Sequence, residues 1–169
     1  MIAVLAAGSS EATVIQTASY NGHTYHLLDS DTWSNSEAEA ISLGGHLATI
    51  NDSAENQWIA DTFNSDFSKL LWIGFNDLDT EGNWQWITGE AVAFTSWDSG
   101  QPDNGAGGNT EQWAHLGHSS SRYLWNDYQD LAFHSGQGKP LFGVVEVVPE
   151  PSTALLLGLG LLGLAVRSR

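Results

Sequence analysis

The feature that most restricts the fold is a long stretch between Glu90 and Ser121 that is rich in Gly, Asn, Ser and Asp. This composition favours turns and irregular backbone over long helices. A loop of this length inside a compact domain is usually either functional or disordered. We therefore expect one domain that is built around this loop, with its chemistry located there.

The N-terminal end has the composition of a processing segment. Ile2 to Ala7 is apolar, and Ser10-Glu11-Ala12 has the small-x-small form of a cleavage site. The pattern predicts that residues 1–12 are the remnant of a signal peptide whose assigned start is too late. An ordinary buried N-terminal segment is the alternative.

The C-terminal end has three parts in a fixed order. Pro149-Glu150-Pro151 precedes the uncharged run Ala154–Val166, and Arg167 and Arg169 follow. As a helix, this run would span about 20 Å, which is short for a bilayer core of about 30 Å. Residues 149–169 resemble the PEP-CTERM sorting signal of Gram-negative bacteria. The resemblance implies export, processing by an exosortase, transient membrane contact through residues 152–166, and a place at the cell surface or in the extracellular matrix. A plain C-terminal membrane anchor is the alternative.

Charge and cysteine content restrict the partners. The chain has 20 Asp and Glu against 5 Lys and Arg, which gives a net charge of −15. Such a surface repels phosphate backbones, so nucleic acid is excluded as a partner, whereas divalent cations are favoured. Simple solubility is the alternative explanation of the charge. Because the chain has no cysteine, packing or a bound metal must supply the stability that disulfides often give exported domains.

Residues 14–148 are expected to form a single α+β domain, with helices first and short strands later. One helix is predicted over Ser34–Leu43, with Ala38 and Ile41 facing inward, Ala40 as a further candidate for the inward face, and Gly44 as its stop signal. A second helix begins after Asp52 or Ser53 and has an apolar face at helical spacing that includes Trp58 and Ile59. The predicted strands are Thr24–Leu28, Leu71–Phe75, Trp84–Ile87, Gln112–Leu116, Tyr123–Trp125 and Phe142–Val147.

The candidate metal ligands are oxygen donors. They lie in the segments Gln101-Pro102-Asp103-Asn104, Glu111-Gln112 and Asn126-Asp127. Calcium takes six to eight such oxygens, whereas zinc prefers nitrogen and sulfur. A cis peptide at Pro102 would direct Gln101 and Asp103 toward one point. The residues alone leave open that these acidic loops are merely solvated.

A series of motifs occurs in the order that is typical of C-type lectin-like domains, and the resemblance covers about Tyr25–Val147. The motifs are Gly44-Gly45-His46-Leu47-Ala48-Thr49-Ile50, Trp72-Ile73-Gly74, Gly82-Asn83-Trp84-Gln85-Trp86, Trp97 before Gln101-Pro102-Asp103, and Trp125-Asn126-Asp127. The resemblance implies two helices packed on short antiparallel sheets, with a long calcium-binding loop.

The resemblance also implies a site and a ligand. One Ca²⁺ and a glycan would be bound by the same residues, namely Gln101, Asp103, Glu111, Asn126 and Asp127. Gln-Pro-Asp in place of Glu-Pro-Asn is associated in the family with galactose-type sugars. A second, weaker metal site would comprise Asp77, Glu81 and Asn104.

Two departures from the family pattern affect these expectations. Galactose binders often stack the sugar on a Trp just after this motif, but Gly105 stands here, so Tyr128 or another ring must substitute. The family's cysteines are also missing. Apolar packing of Ala40 with Val145 is expected to replace one bridge, whereas Trp113 and Asp130 at the other bridge are no packing equivalent.

Catalysis finds little support, and we expect no enzyme. The histidine pairs His23/His26 and His115/His118 lie in predicted strand or loop and are expected to be surface residues. The carboxylates that glycoside hydrolysis would need are better explained as calcium ligands. The rival to the lectin hypothesis is a module of the same fold that binds a surface-matrix protein, with calcium only bracing the loop.

Overall fold

The computed structural model describes residues 13–105, 111–119 and 121–149. The segments predicted to be processed, residues 1–12 and nearly all of 149–169, lie outside this part of the chain. The helices are α1 (Trp33–Ser42) and α2 (Ser53–Phe63). The strands are β1 (Val14–Tyr20), β2 (His23–Ser30), β3 (His46–Leu47), β4 (Leu70–Asn76), β5 (Gln85–Trp86), β6 (Trp113–His118), β7 (Ser121–Tyr128), β8 (Phe133–His134) and β9 (Lys139–Val147).

Helix α1 buries a face that hydrophobicity did not predict. Its buried residues are Trp33, Ser36, Glu37 and Ala40, at the i, i+3, i+4, i+7 spacing of one helix face. The prediction that Ala38 and Ile41 face inward was wrong, because both are exposed. Glu37 is buried because its carboxylate accepts from the backbone N–H of Leu47 at 2.9 Å and contacts His46 Nδ1 at 2.6 Å. A polar contact therefore sets the rotation of this helix.

Helix α2 begins as predicted. The Asp52 carboxylate accepts from the backbone N–H groups of Ala54 and Glu55, at 2.8 and 2.9 Å, which satisfies two N–H groups that a helix start leaves unpaired. Ile59 and Phe63 are buried in the core, and Trp58 is partly buried and stacks on Tyr20.

The strands form one connected sheet network. The order is β1-β2-β9-β4-β6-β7, with β3 and β8 on β9 and β5 on β4. The pair β4–β9 is parallel, with Leu71 opposite Phe142, and the other strand pairs are antiparallel. The α+β class is confirmed, and the sheet is mixed because β9 returns beside β4 in the same direction. Strand β1, which was not predicted, forms a hairpin with β2.

An aromatic cluster fills the core beneath the long loop. Trp86 and Trp125 are fully buried, and Trp125 makes edge contacts with Trp86 and Trp97 at 5.9 Å between ring centroids. The indole N–H of Trp125 donates to Asn56 Oδ1 at 2.7 Å. Trp72 is fully buried as well, and Trp84 and Trp97 pack on the core from its edge. Trp125 thus fixes the strand that continues into Asn126-Asp127.

Two isoleucines on the helices provide a matched test of this packing. Ile59 is 0% exposed, and Ile41 is 58% exposed. We expect Ile59→Ala to lower the free energy of unfolding by about 2–4 kcal/mol through lost burial and a cavity, and Ile41→Ala to change it by less than about 0.5 kcal/mol. Urea denaturation of both variants measures this. Equal losses would contradict the rotation of α1 described above.

Candidate functional site

The loop that carries the candidate ligands is tied to β7 on its incoming side. Trp97 forms an isolated parallel β-bridge with Trp125, and the Asp98 backbone N–H donates to Trp125 O at 2.9 Å. The Gln101–Pro102 peptide is cis, as expected. The backbone N–H groups of Asp103 and Asn104 then donate to the two carboxylate oxygens of Asp127, at 3.2 and 2.8 Å. The segment from Trp97 to Asn104 is therefore held against the end of β7 at both of its ends.

Three carboxylates from different segments converge beside this loop. Asp103, Glu111 and Asp127 each place an oxygen within 4.8 Å of the others. Asp127 is the penultimate residue of β7, and Glu111 lies just before β6, whose Trp113 pairs with Tyr128. Asp127 and Glu111 are buried, and Asp103 is exposed. The site thus opens to solvent on the side of the Gln-Pro-Asp loop.

Within residues 13–105, 111–119 and 121–149, no Lys, Arg or His forms an ion pair with these three carboxylates. Burial, with the nearby charges of Asp127 and Asp103, raises the pKa of Glu111 to about 7. Burial also raises the pKa of Asp127, although the backbone N–H groups of Asn104 and Asp103 oppose the change. Both shifts mean that the metal-free cluster resists full ionisation, as expected when like charges are placed close together.

The two amides that were predicted to join the cluster differ in their surroundings. Gln101 Oε1 is buried and has no hydrogen-bond partner. Asn126 Nδ2 donates to the carbonyl oxygen of Asp127 and lies 3.5 Å from His115 Nε2. A buried carbonyl oxygen without a partner costs free energy, and a cation supplies such a partner. Three carboxylates and this amide form an oxygen-only donor set, which fits calcium better than zinc.

The predicted second cluster is adjacent. Asn104 Nδ2 donates to Glu81 Oε1, and Asp77 Oδ2 accepts from the Gly82 backbone N–H at 2.8 Å. Asp77 Oδ1 and Asn104 Oδ1 are both buried without a partner. Burial raises the pKa of Asp77, and the charge of Glu81 adds to this. The three residues are therefore neighbours, and two oxygens among them are available to a cation.

Neither Gly105 nor Tyr128 provides an aromatic surface in place of the missing tryptophan. Gly105 has φ +59°, and a Cβ added there would lie 2.9 Å from Glu111 Cδ, so even a methyl group would require the Glu111 carboxylate to move. Tyr128 is only 9% exposed and stacks on His134 with ring centroids 3.9 Å apart. The alternative that Tyr128 presents its ring to a sugar is therefore wrong.

The positions of the missing cysteines are held by other contacts. Ala40 and Val145 lie in one buried cluster with Leu28, so apolar packing occupies the first position as expected. At the second, Asp130 and Trp113 each contact the start of α1. Asp130 Oδ1 accepts from the Ser34 N–H at 3.0 Å, and the Trp113 ring lies 6.3 Å from that of Trp33. The start of β6 and the segment that follows β7 are thereby both attached to the helix.

One histidine was placed wrongly by the sequence analysis. His115 is completely buried, not at the surface, because it lies on β6 between Trp72 and Asn126. Burial lowers its pKa well below the ordinary value. The signal was its position two residues after Trp113, on the same face of a strand. His118, at the end of β6, contacts Asp98 instead, with Nδ1 2.8 Å from Oδ2.

Comparison with known families identifies the domain. Residues 29–132 match the family described as the Lectin C-type domain. The chain belongs to the C-type lectin domain family. The relatives and structural neighbours are C-type lectins, which are non-enzymatic domains, and this agrees with the expectation from the sequence that the chain is not an enzyme. A second match, over residues 147–169, is to the PEP-CTERM protein-sorting motif.

Curated relatives carry the same domain. The chain is 34% identical over 102 residues to a perlucin-like protein of Mytilus galloprovincialis, and it covers 63% of that protein with 59% of its own length. It is 34% identical over 110 residues to lectin BRA-3 of Megabalanus rosa, covering 66% of that protein with 62% of its own length. The chain thus spans less than two-thirds of both. It is 37% identical over 117 residues to the alpha-N-acetylgalactosamine-specific lectin of Patiria pectinifera, covering 68% of it with 64% of its own length.

Solved structures show the same fold. The mouse scavenger receptor C-type lectin carbohydrate-recognition domain superposes with a TM-score of 0.66 at 26% identity, over 79% of this chain and 96% of that one. The C-type lectin CEL-I of Cucumaria echinata gives 0.65 at 24% identity, over 78% and 94%. Within residues 13–105, 111–119 and 121–149, no helix is long and apolar enough to cross a membrane. The membrane contact expected for residues 152–166 lies outside this range.

The raised pKa of Glu111 predicts a pH-dependent cost in the metal-free domain. The carboxyl group is protonated more readily in the folded state, with a pKa of about 7 against an ordinary 4.5. Its ionisation therefore opposes folding increasingly from about pH 4.5 to 7, and fully above that. In EDTA we expect Glu111→Gln to match the unaltered chain at pH 4.5 and to exceed its free energy of unfolding at pH 8, on the order of 2 kcal/mol.

Urea denaturation at the two pH values measures this difference. Glu90→Gln, at an exposed position, is the matched control and should give no pH-dependent difference. A Glu111→Gln effect that is equal at both pH values would contradict the assigned pKa.

Proposed function

We propose that this C-type lectin domain binds glycans through a calcium ion held by Gln101, Asp103, Glu111, Asn126 and Asp127. The observation that carries the proposal is the convergence of three carboxylates that form no ion pair within the described residues. The carbonyl oxygen of Gln101, two residues before Asp103, is buried and unpaired among the same residues. Family membership supports carbohydrate binding in general. The oxygen-only donor set supports calcium in particular.

Each residue would have a defined part in binding. A bound calcium ion would supply positive charge and free coordination positions for two vicinal sugar hydroxyls. Asp103 and Glu111 would accept hydrogen bonds from those hydroxyls, and the amide N–H groups of Gln101 and Asn126 would donate to them. Every hydroxyl then keeps its hydrogen bonds as it loses water. Asp127 holds the loop in place through Asp103 N and Asn104 N.

A galactose-type ligand is the preferred assignment within this proposal. The order of amide and carboxylate at Gln101 and Asp103 supports it, and a relative is named as an alpha-N-acetylgalactosamine-specific lectin. Neither position 105 nor Tyr128 offers a free ring on which a sugar could stack, so the apolar contact of an aromatic platform is missing there. We therefore infer weak binding at a single site and useful strength only from clustered copies.

We also propose a second, weaker calcium position between Asp77, Glu81 and Asn104. The unpaired oxygens of Asp77 and Asn104 support it. Only two of the three residues carry a charge, and Glu81 is exposed. Lower charge and greater exposure both weaken calcium binding. This ion would lie beside the first site and restrain the Asn104 end of the loop.

Export to a bacterial surface or extracellular matrix completes the proposal. Strand β9 ends at Val147, and the sorting motif begins at the same residue. The lectin domain, residues 14–148, would continue directly into a segment that an exosortase-type enzyme processes. A chain that is held at the surface in many copies would have the clustering that weak sites require.

A glycan array tests the proposal, with the full chain probed in calcium and again in EDTA. We expect binding to galactose-type sugars in calcium only, and loss of at least about tenfold in affinity for Asp103→Ala, because the variant removes a ligand of both calcium and sugar. Asp29→Ala, at an exposed position outside the cluster, is the matched control and should bind normally.

Two results would contradict the proposal. Binding that persists in EDTA would remove the calcium ion from the mechanism. A folded chain that binds no glycan in calcium would favour the rival function, recognition of a surface-matrix protein with calcium only bracing the loop. In that case Asp103→Ala should scarcely affect binding of the protein partner.

A further inference from the structure

A hydrogen bond outside the ligand cluster joins the end of β6 to the incoming part of the loop. His118 Nδ1 lies 2.8 Å from Asp98 Oδ2, and the two side chains are 19% and 18% exposed. Asp98 Oδ1 also accepts from the Ser99 backbone N–H at 2.7 Å. Both oxygens of this carboxylate are therefore engaged. Because Asp98 and His118 are twenty residues apart, the contact fixes the position of one segment relative to the other.

The backbone of Asp98 lies between two groups of proposed ligands. Its N–H donates to Trp125 O at 2.9 Å, directly before Asn126 and Asp127 in the sequence. Its carbonyl oxygen accepts from the Gln101 N–H at 3.0 Å. A shift of Asp98 away from β7 is thus transmitted to Gln101. His118 is the last residue of β6, whereas the ligand cluster lies near the first. Its side chain therefore contacts Asp98 from the far end of that strand.

The surroundings of this pair favour an ionised Asp98. The hydrogen bond from His118 holds the pKa of the Asp98 carboxyl below its usual range. Among the described residues, the other groups near His118 are Ser119, with Oγ 3.2 Å from Nδ1, the ring of His115, with its centroid at 6.3 Å, and His134, whose pKa is lowered in part by His118. None of these is a second carboxylate. Loss of the His118 side chain therefore removes the main side-chain partner of Asp98 and leaves only the weaker contact with Ser119.

We propose that His118 is a positioning residue for the calcium site: it holds Asp98 against β7 and thereby fixes Gln101 relative to Asn126 and Asp127. The inference rests on the proposed calcium binding, and it adds a residue that contacts neither the ion nor the sugar. His118 would affect how tightly calcium binds, and it would not change which atoms bind the ion.

Isothermal titration of the full chain with calcium tests the role of His118. We expect the calcium dissociation constant of His118→Ala to rise about tenfold, because a charge-assisted hydrogen bond that orders the ligand loop is lost. His118→Asn, which keeps a polar N–H near the Nδ1 position, should restore most of the affinity. If the two variants have equal melting temperatures in EDTA but different calcium affinities, the positioning role is supported. If their calcium affinities differ only as much as their melting temperatures do, His118 has a purely structural role.

His26→Ala is the matched control. His26 Nδ1 makes a 2.8 Å contact with Thr17 Oγ1 on the β1–β2 hairpin, so the same substitution removes a contact of the same length away from the loop. Equal calcium affinity of His118→Ala and His26→Ala would overturn the positioning role alone. Absence of calcium binding by the unaltered chain would overturn both this role and the proposed function.

Discussion

Repulsion among Asp103, Glu111 and Asp127 is the interaction on which the rest of the molecule depends. The fold holds oxygens of the three carboxylates within 4.8 Å of one another, and two of them have raised pKa values because burial and neighbouring charge oppose ionisation. A chain that is free to relax would separate these groups. The backbone N–H groups that bind Asp127 and the strand pair β6–β7 oppose the separation. A cation relieves the repulsion that the backbone maintains.

The remainder of the domain can be understood as support for that arrangement. Trp125 is packed among aromatic rings and bonded to Asn56, so the residues that follow it are placed on a rigid base. Asp98 ties the incoming loop to the same strand. Where cysteines are missing, Asp130 caps the first turn of α1 through Ser34 N. Noncovalent contacts thus restrain the ligand-bearing hairpin β6–β7. The stronger these contacts are, the smaller is the free-energy cost of ordering the loop when a ligand binds.

The motifs around the loop predicted which carboxylates come together better than periodicity predicted which face of α1 is buried. Asp103 and Asp127 are recognisable because short, ordered motifs fix the backbone around them. Ile41 was misplaced because the contact between Glu37 and Leu47 N, which is formed over a distance of ten residues, sets the rotation of α1. Hydrophobic periodicity contains no information about such a contact. His115 was misplaced for a related reason, since its burial depends on β6 lying between β4 and β7 in the sheet.

X-ray diffraction from crystals of the chain grown with calcium and a galactose-type sugar is the most direct measurement. We predict one ion whose ligands include oxygens of Gln101, Asp103, Glu111, Asn126 and Asp127, at about 2.3–2.6 Å, with two sugar hydroxyls completing its shell. A second, partly occupied ion beside Asp77 and Glu81 would agree with the weaker position. A structure in which Asp103 and Glu111 are separated, with no ion between them at saturating calcium, would contradict the proposed site.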